Sequence, residues 1–147
     1  MELTETISIK APASEVFDAW AQLERAHEYA DSVVERRRLD GGPMGVGVCY
    51  QAIDRWPGGD VTFTVRITAF ERPLRIAATW SDPVGGGWDA IFIETGGRTE
   101  FTFAWTLQPT GLRGLLLPLL QPLVRREARR FLTGFREWIE SGRAHSV

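Results

Sequence analysis

The fold is decided by the stretch LLLPLLQPLVRREARRFLTGFREWI, residues 115–139. Its apolar residues recur every three or four positions, which is the spacing of an amphipathic α-helix. We therefore predict a helix of about seven turns that ends near Gly142, and we expect Pro118 and Pro122 to kink or restart its first part. Gly134 lies in the helix interior at a cost of about 1 kcal/mol, which close approach to a sheet would offset. The apolar stripe consists of Leu117, Leu120, Val124, Ala128, Phe131, Phe135 and Trp138, widened by Leu132 and Ile139.

Upstream of this helix, apolar and polar residues alternate with the period of two that is typical of half-buried strands. A first strand over Thr4–Lys10 is followed by two short helices, over Ala13–Gln22 and Leu23–Tyr29. Short turns, among them Pro83–Gly87 and Gly96-Gly97, separate the later strands and indicate antiparallel neighbours. These later strands are predicted over Val33–Leu39, Val46–Arg55, Val61–Glu71, Arg75–Ser81, Trp88–Thr95 and Arg98–Gln108.

This order of elements predicts an α+β fold in which a curved, seven-stranded antiparallel sheet grips the long C-terminal helix. Seven strands cannot bury one face against two short helices, so the long helix must cover the concave side. A curved sheet with a helix across its mouth leaves space between them, and space lined by aromatic side chains is a candidate ligand cavity. We expect one domain over residues 1–147.

Composition excludes several classes of function. The net charge of −2 gives no attraction to nucleic acid. Cys49 is the only cysteine, so an intrachain disulfide is impossible and a cytoplasmic location is expected. The acidic start, residues 1–5, lacks the apolar core of a signal peptide. No histidine, cysteine and carboxylate cluster has metal-ligand spacing and no glycine run has phosphate-loop spacing, so we expect neither a metal nor a cofactor.

Five local motifs occur in a characteristic order along the chain. They are ISIKAPASEVFD at 7–18, GVGV at 45–48, VRITAFERP at 65–73, GGRT at 96–99 and the helix at 115–139. Together they resemble the SRPBCC superfamily of START-like and Bet v 1-like helix-grip proteins, and most of all its polyketide cyclase/dehydrase and lipid-transport branch. The resemblance covers essentially the whole chain. It implies fold more than function, because this fold hosts binders, transporters, cyclases and regulators.

The strand faces and the resemblance together imply a set of ligand-binding residues. Tyr50 shares a face with Val48, and Asp89 shares a face with Ile91 and Ile93. A carboxylate buried there would keep its proton, so Asp89 and Tyr50 are candidate catalytic groups, although Asp89 near a strand end can equally lie in water. The resemblance implies that Val65, Trp80, Ile91, Phe103 and Trp105 point inward under a lid of Leu120 and Val124. The candidate ligand-binding set is Tyr50, Phe63, Val65, Trp80, Asp89, Ile91, Phe103, Trp105, Leu120 and Val124.

Three hypotheses of function follow. The first is a binder or carrier of a hydrophobic, lipid-like or polyketide-like molecule in an internal cavity. The second is an enzyme, a polyketide cyclase, aromatase or dehydratase, and the third is an interaction protein whose own side chains fill the cavity. The arginine-rich face of the last helix is typical either of a solvated surface or of peripheral contact with an anionic membrane.

Overall fold

The structure, a computed structural model, describes residues 1–56, 58–81, 85–108 and 112–145. Its seven strands form one curved antiparallel sheet in the order β1-β7-β6-β5-β4-β3-β2, so β1 and β2 are the edges. The predicted α+β helix-grip fold is confirmed. The strands are β1 (Glu2–Ile9), β2 (Val33–Arg38), β3 (Cys49–Trp56), β4 (Gly59–Glu71), β5 (Arg75–Ser81), β6 (Gly85–Thr95) and β7 (Arg98–Gln108). The helices are α1 (Ala13–Ala21), a 3-10 helix (Leu23–Glu28), α2 (Leu112–Glu140) and a short 3-10 turn (Arg143–His145).

Strand β6 begins earlier than predicted. Gly85, Gly86 and Gly87 are not a turn but pair with Gln108, Leu107 and Thr106 of β7; residues 83–84 of the predicted turn lie outside the described residues. A Cβ atom on Gly86, whose φ is +151°, would lie 2.1 Å from the backbone oxygen of Thr106 and 3.2 Å from the Trp80 ring. Glycine therefore extends the strand here, because it lets two strands and an indole ring meet in a space with no room for a side chain.

Helix α2 differs from the prediction in two respects. It is continuous through Pro118 and Pro122, so of the two expected effects of these prolines, a kink or a restart, the restart does not occur. Both prolines lie in the half of the helix whose leucines are exposed, where water can bind the carbonyl groups that lose their intrahelical partner. At Gly134 the close approach is real, but the partner is the segment after the 3-10 helix and not the sheet. A Cβ atom on Gly134 would lie 2.3 Å from the backbone oxygen of Tyr29.

The inner face of the sheet, which points toward α1 and α2, carries the core. Strand positions on this face alternate with outer positions such as Thr64 and Arg66, which are exposed. The last three turns of α2 pack on it through Leu132, Phe135 and Trp138, all fully buried. Among the described residues, no helix combines the length and apolar character that a membrane crossing requires. The buried strand positions of the inner face include Tyr50, Ala52, Val65, Ile67, Ile76, Ala78, Ala90, Phe92 and Phe101.

Candidate functional site: the open end of the inner face

The inner face has two ends that differ in burial. At one end, which we call the closed end, the side chains are fully buried. The closed end consists of Phe17, Phe92, Phe101, Phe135 and Trp138. At the other end, which we call the open end, five aromatic side chains on the same face keep part of their surface exposed. The open end consists of Phe63 on β4, Trp80 on β5, Trp88 on β6, and Phe103 and Trp105 on β7.

The open end forms a continuous aromatic row across four strands. Ring centroids are 6.0 Å apart between Phe63 and Trp80, and 6.5 Å apart both between Trp80 and Trp105 and between Trp105 and Phe103. Phe103 also stacks on Trp88 at 6.3 Å. Because these rings contact one another yet retain exposed surface, they form an apolar wall that a ligand could cover.

Helix α2 covers this row only in part. Val124 is buried and packs in a cluster with Leu3 and Leu107, against which Trp80 and Trp105 lie. Leu120, one turn earlier, is 39% exposed. Of the predicted lid, Val124 therefore packs on the wall while Leu120 leaves much of its surface in solvent.

Two surface grooves flank α1 and α2 in the described part of the chain. One, of about 330 Å³, separates the segment 29–32 from residues 127–137 of α2, and the other, of about 410 Å³, lies between α1 and His145. Phe131 lines the first groove and also contacts Trp20, with ring centroids 5.9 Å apart. Trp20 in turn contacts Phe103 at 5.6 Å, so Phe131 and Trp20 stand between this groove and the open end.

Most of the predicted ligand-binding residues on the strands lie on the inner face. Val65 and Tyr50 are buried there, whereas the aromatic members retain exposed surface. These aromatic members, all part of the open end, are Phe63, Trp80, Phe103 and Trp105.

The predicted inward orientation of Asp89 and Ile91 is wrong. The register of β6 and β7 pairs Ala90 with Phe103, which puts Trp88, Ala90 and Phe92 on the inner face and their neighbours on the outer face. Ile91 is accordingly 37% exposed. Asp89 accepts two hydrogen bonds from Arg75, 2.9 Å from Nε to Oδ1 and 2.8 Å from Nη2 to Oδ2. The Asp89 side chain is 35% exposed and lies in the middle of β6, held by Arg75 on the outer face, and not at a strand end as the alternative had it.

Tyr50 is on the predicted face, but its hydroxyl group does not point to the open end. The hydroxyl oxygen lies 3.4 Å from Oε1 of Glu24 and 3.2 Å from the sulfur of Met44. Burial raises the pKa of Tyr50 above its ordinary value, and the negative charge of Glu24 adds to this shift. Tyr50 and Asp89 therefore lie on opposite faces of the sheet and do not form an acid–base pair.

The sequence interpretation missed two polar clusters on the inner face. Glu5, whose side chain is 16% exposed, accepts hydrogen bonds through Oε1 from Arg125 Nη1 at 3.1 Å and Arg129 Nε at 3.2 Å. This contact ties β1 to the middle of α2. The alternation in β1 already indicated that Glu5 faces inward, because Glu5 lies two residues before Ile7 and four before Ile9 and so shares their face of the strand.

The second cluster is an ion pair between Arg36 of β2 and Asp54 of β3. Arg36 Nη1 donates to Asp54 Oδ1, and Nη2 donates to Oδ2 at 3.2 Å. No sequence signal could have found it, since Arg36, Arg37 and Arg38 are consecutive and only the register with β3 decides which of them points inward. Among the described residues, no group of three or more histidine, cysteine or carboxylate side chains is placed to hold a metal ion.

Comparison with known proteins identifies related folds and a family for this chain. No curated protein sequence matches the chain. Among solved structures, a protein from Thermus thermophilus has a TM-score of 0.84 at 19% identity, covering 97% of this chain and 99% of its own. The Zhui aromatase/cyclase from Streptomyces sp. R1128 has a TM-score of 0.79 at 17% identity, with 97% and 94% covered. Ara h 8.0201 has a TM-score of 0.70 at 13% identity, with 96% and 98% covered.

At these identities the structural neighbours establish the fold alone. The family assignment comes from the sequence model described as polyketide cyclase / dehydrase and lipid transport, which matches residues 1–140. Nearly the whole chain is included in that match. The chain therefore belongs to the polyketide cyclase / dehydrase and lipid transport family.

Proposed function

We propose that this protein binds or carries a hydrophobic small molecule, lipid-like or polyketide-like, whose apolar body lies along the open end. The observation that carries the proposal is the row of partly exposed aromatic side chains on the inner face. An aromatic side chain that remains in contact with water inside a folded domain loses hydrophobic stabilisation, which a bound apolar molecule would restore. Family membership agrees with this function.

Binding of a neutral apolar fluorophore, N-phenyl-1-naphthylamine, tests the proposal. Trp105→Ala and Trp80→Ala should each weaken its affinity at least tenfold, because each removes part of the aromatic wall. Ile91→Ala is the matched control, since Ile91 is an apolar strand residue on the outer face, and it should leave the affinity unchanged. Equal affinity in all four proteins would overturn the proposal. Native mass spectrometry of the purified protein should in addition reveal a co-purified molecule.

Catalysis is the second candidate, and two observations make binding the preferred function. The acid–base pair considered from the sequence does not form, because the Asp89 carboxylate is held by Arg75 on the outer face. The Tyr50 hydroxyl group is likewise occupied by Glu24 and Met44. A filled, purely structural cavity is disfavoured by the partial exposure of the open end.

We also propose that the first half of α2 contacts an anionic membrane surface. Five leucines there are exposed, with Leu115 at 75% and Leu119 at 77% the most exposed, and the other three are Leu116, Leu120 and Leu123. Arg125, Arg126, Arg129 and Arg130 follow directly on the same helix. Apolar side chains beside a basic cluster suit the interface of an anionic bilayer, and such contact would bring a lipid-like ligand to the open end.

Co-sedimentation with vesicles tests the membrane contact. The protein should bind phosphatidylcholine vesicles that contain phosphatidylglycerol and should bind pure phosphatidylcholine vesicles much less. Leu115→Glu together with Leu119→Glu should abolish binding. Ile93→Glu, which makes the same kind of change at an exposed position on the outer face of β6, should not.

We further propose that the protein works in a reducing compartment such as the cytoplasm, where Cys49 stays a thiol.

A further inference from the structure

The Arg36–Asp54 ion pair lies at one end of the aromatic row. Arg36 is aligned with Ala52, which is fully buried on the inner face, and Asp54 is aligned with the buried Val33. The guanidinium carbon of Arg36 lies 5.6 Å from the centroid of the Phe63 ring, the first ring of the row. The pair is thus continuous with the wall that begins at Phe63.

Both charged groups are largely removed from water but remain accessible. The side chain of Arg36 is 14% exposed and that of Asp54 is 19% exposed. Besides its two bonds to Asp54, Arg36 donates from Nη1 to the backbone oxygen of Glu35 at 3.2 Å. Within the described residues, the Nε–H group and one Nη2–H group of Arg36 have no acceptor, so the pair retains donors for a further oxygen atom.

The charge of Arg36 is already balanced by Asp54. A carboxylate or phosphate brought to Arg36 would approach the Asp54 carboxylate as well, and like charges in a partly buried site repel strongly. A carbonyl oxygen avoids this repulsion and accepts from Arg36, and a hydroxyl group can in addition donate to Asp54. The pair therefore suits a neutral oxygen group better than an anion.

We propose that Arg36 and Asp54 form the polar subsite beside the open end, and that this subsite selects ligands whose polar end is a neutral carbonyl or hydroxyl group over fatty-acid anions. The inference rests on the proposed function, because the apolar body of the ligand must lie along the aromatic row. It assigns the ligand a direction, with its oxygen end at the β2 edge of the sheet and its apolar body toward β7.

Three ligands of equal chain length test the selection. Decan-1-ol, decan-2-one and decanoate at pH 8 are titrated against the complex with N-phenyl-1-naphthylamine, and displacement is followed by fluorescence. The wild-type protein should bind the alcohol and the ketone at least tenfold more tightly than decanoate. Asp54→Asn removes the balancing charge and should reverse this order, with the affinity for decanoate raised at least tenfold.

Two further variants separate the subsite from folding effects. Asp89→Asn removes the carboxylate of the comparable Arg75–Asp89 pair on the outer face and should leave all three affinities unchanged. The double variant Arg36→Gln, Asp54→Asn creates no unpaired charge. It should bind the alcohol and the ketone about tenfold more weakly while its affinity for N-phenyl-1-naphthylamine stays the same.

The outcomes distinguish the two proposals. If the fluorophore binds but the preference among the three ligands is unaffected by Asp54→Asn and by the double variant, the subsite is wrong and the proposed function stands. If the wild-type protein prefers decanoate, the selection for a neutral oxygen is wrong. If neither the fluorophore nor any of the three ligands binds, both proposals fail.

Discussion

The closed end and the open end of the inner face both consist of phenylalanine and tryptophan side chains and both include residues of β6 and β7, yet they differ in burial. On β7, Phe101 is fully buried, while Phe103 and Trp105, two and four residues later, keep exposed surface. The difference lies in what covers them. Phe135 packs on Phe101 with ring centroids 5.5 Å apart, whereas Trp105 lies against a smaller cluster whose α2 residue is Val124. An aromatic stripe therefore becomes core or candidate binding wall according to the helix residue opposite it.

The largest expected effect sharpens this contrast on a single strand. Phe101→Ala should lower the free energy of unfolding by about 3–5 kcal/mol, the usual cost of removing a buried phenylalanine. Trp105→Ala should cost roughly 1–2 kcal/mol, because its ring is only partly buried. Urea unfolding measures both. A Trp105→Ala variant destabilised as much as Phe101→Ala would mean that the open end is ordinary core.

The next effect concerns how α2 is held over the closed end. Gly134→Ala places a Cβ atom 2.3 Å from the backbone oxygen of Tyr29, so we expect a loss of about 1–3 kcal/mol despite the higher helix propensity of alanine. Thr133→Ala, one position earlier on the helix, is the control and should be nearly neutral. If Gly134→Ala instead stabilised the protein, the close approach of α2 to Tyr29 would be excluded.

A smaller effect is expected where α2 crosses the open end. Glu5→Gln removes the carboxylate that binds Arg125 and Arg129, and because these arginine side chains are 36% and 63% exposed we expect a loss of only about 0.5–1 kcal/mol. The loss should shrink in about 1 M salt, which screens such pairs. Glu2→Gln, an exposed change on the same strand, should have no effect in thermal unfolding. A salt-independent loss for Glu5→Gln would argue against the ion pair.

The smallest effect is confined to alkaline solution. Burial raises the pKa of Tyr50 above that of an unfolded chain, so the native state keeps a proton that the unfolded state releases. This contribution to stability is complete below about pH 10 and is lost as the pH rises further. Tyr50→Phe should therefore lose stability less steeply than the wild type as the pH rises above about 10. Parallel pH profiles would contradict the raised pKa.

The strand faces were predicted correctly where large apolar residues occupy only every second position, as in β4 and β7. In β4 and β7, Phe63 and Phe103 alternate with threonine and alanine, so one face alone can be buried. In β6 the large apolar residues occur at both parities, with Trp88 and Phe92 on one face and Ile91 on the other. Periodicity cannot decide such a strand. Only its register with β7 does, and for this reason Asp89 and Ile91 were assigned to the wrong face.

The polar part of the candidate site was beyond prediction for a related reason. Glu5 and Arg125 are 120 residues apart, and Arg36 meets Asp54 through a register shift in β2 between Val33 and Glu35. Contacts of this kind depend on how strands and helices are placed relative to one another, which local sequence patterns do not encode. The order and type of the elements, in contrast, follow from local periodicity, and they were predicted with boundaries a few residues off.

Strand β2 has a consequence that concerns other copies of the protein. As an edge strand it offers unpaired backbone groups to any exposed strand that it meets in solution, which is the first step of aggregation. Its residues 35–38 are Glu-Arg-Arg-Arg, and a second strand docking there would have to bring its own side chains against this row of charges. The charged residues of this edge strand thereby keep it from joining sheets between molecules.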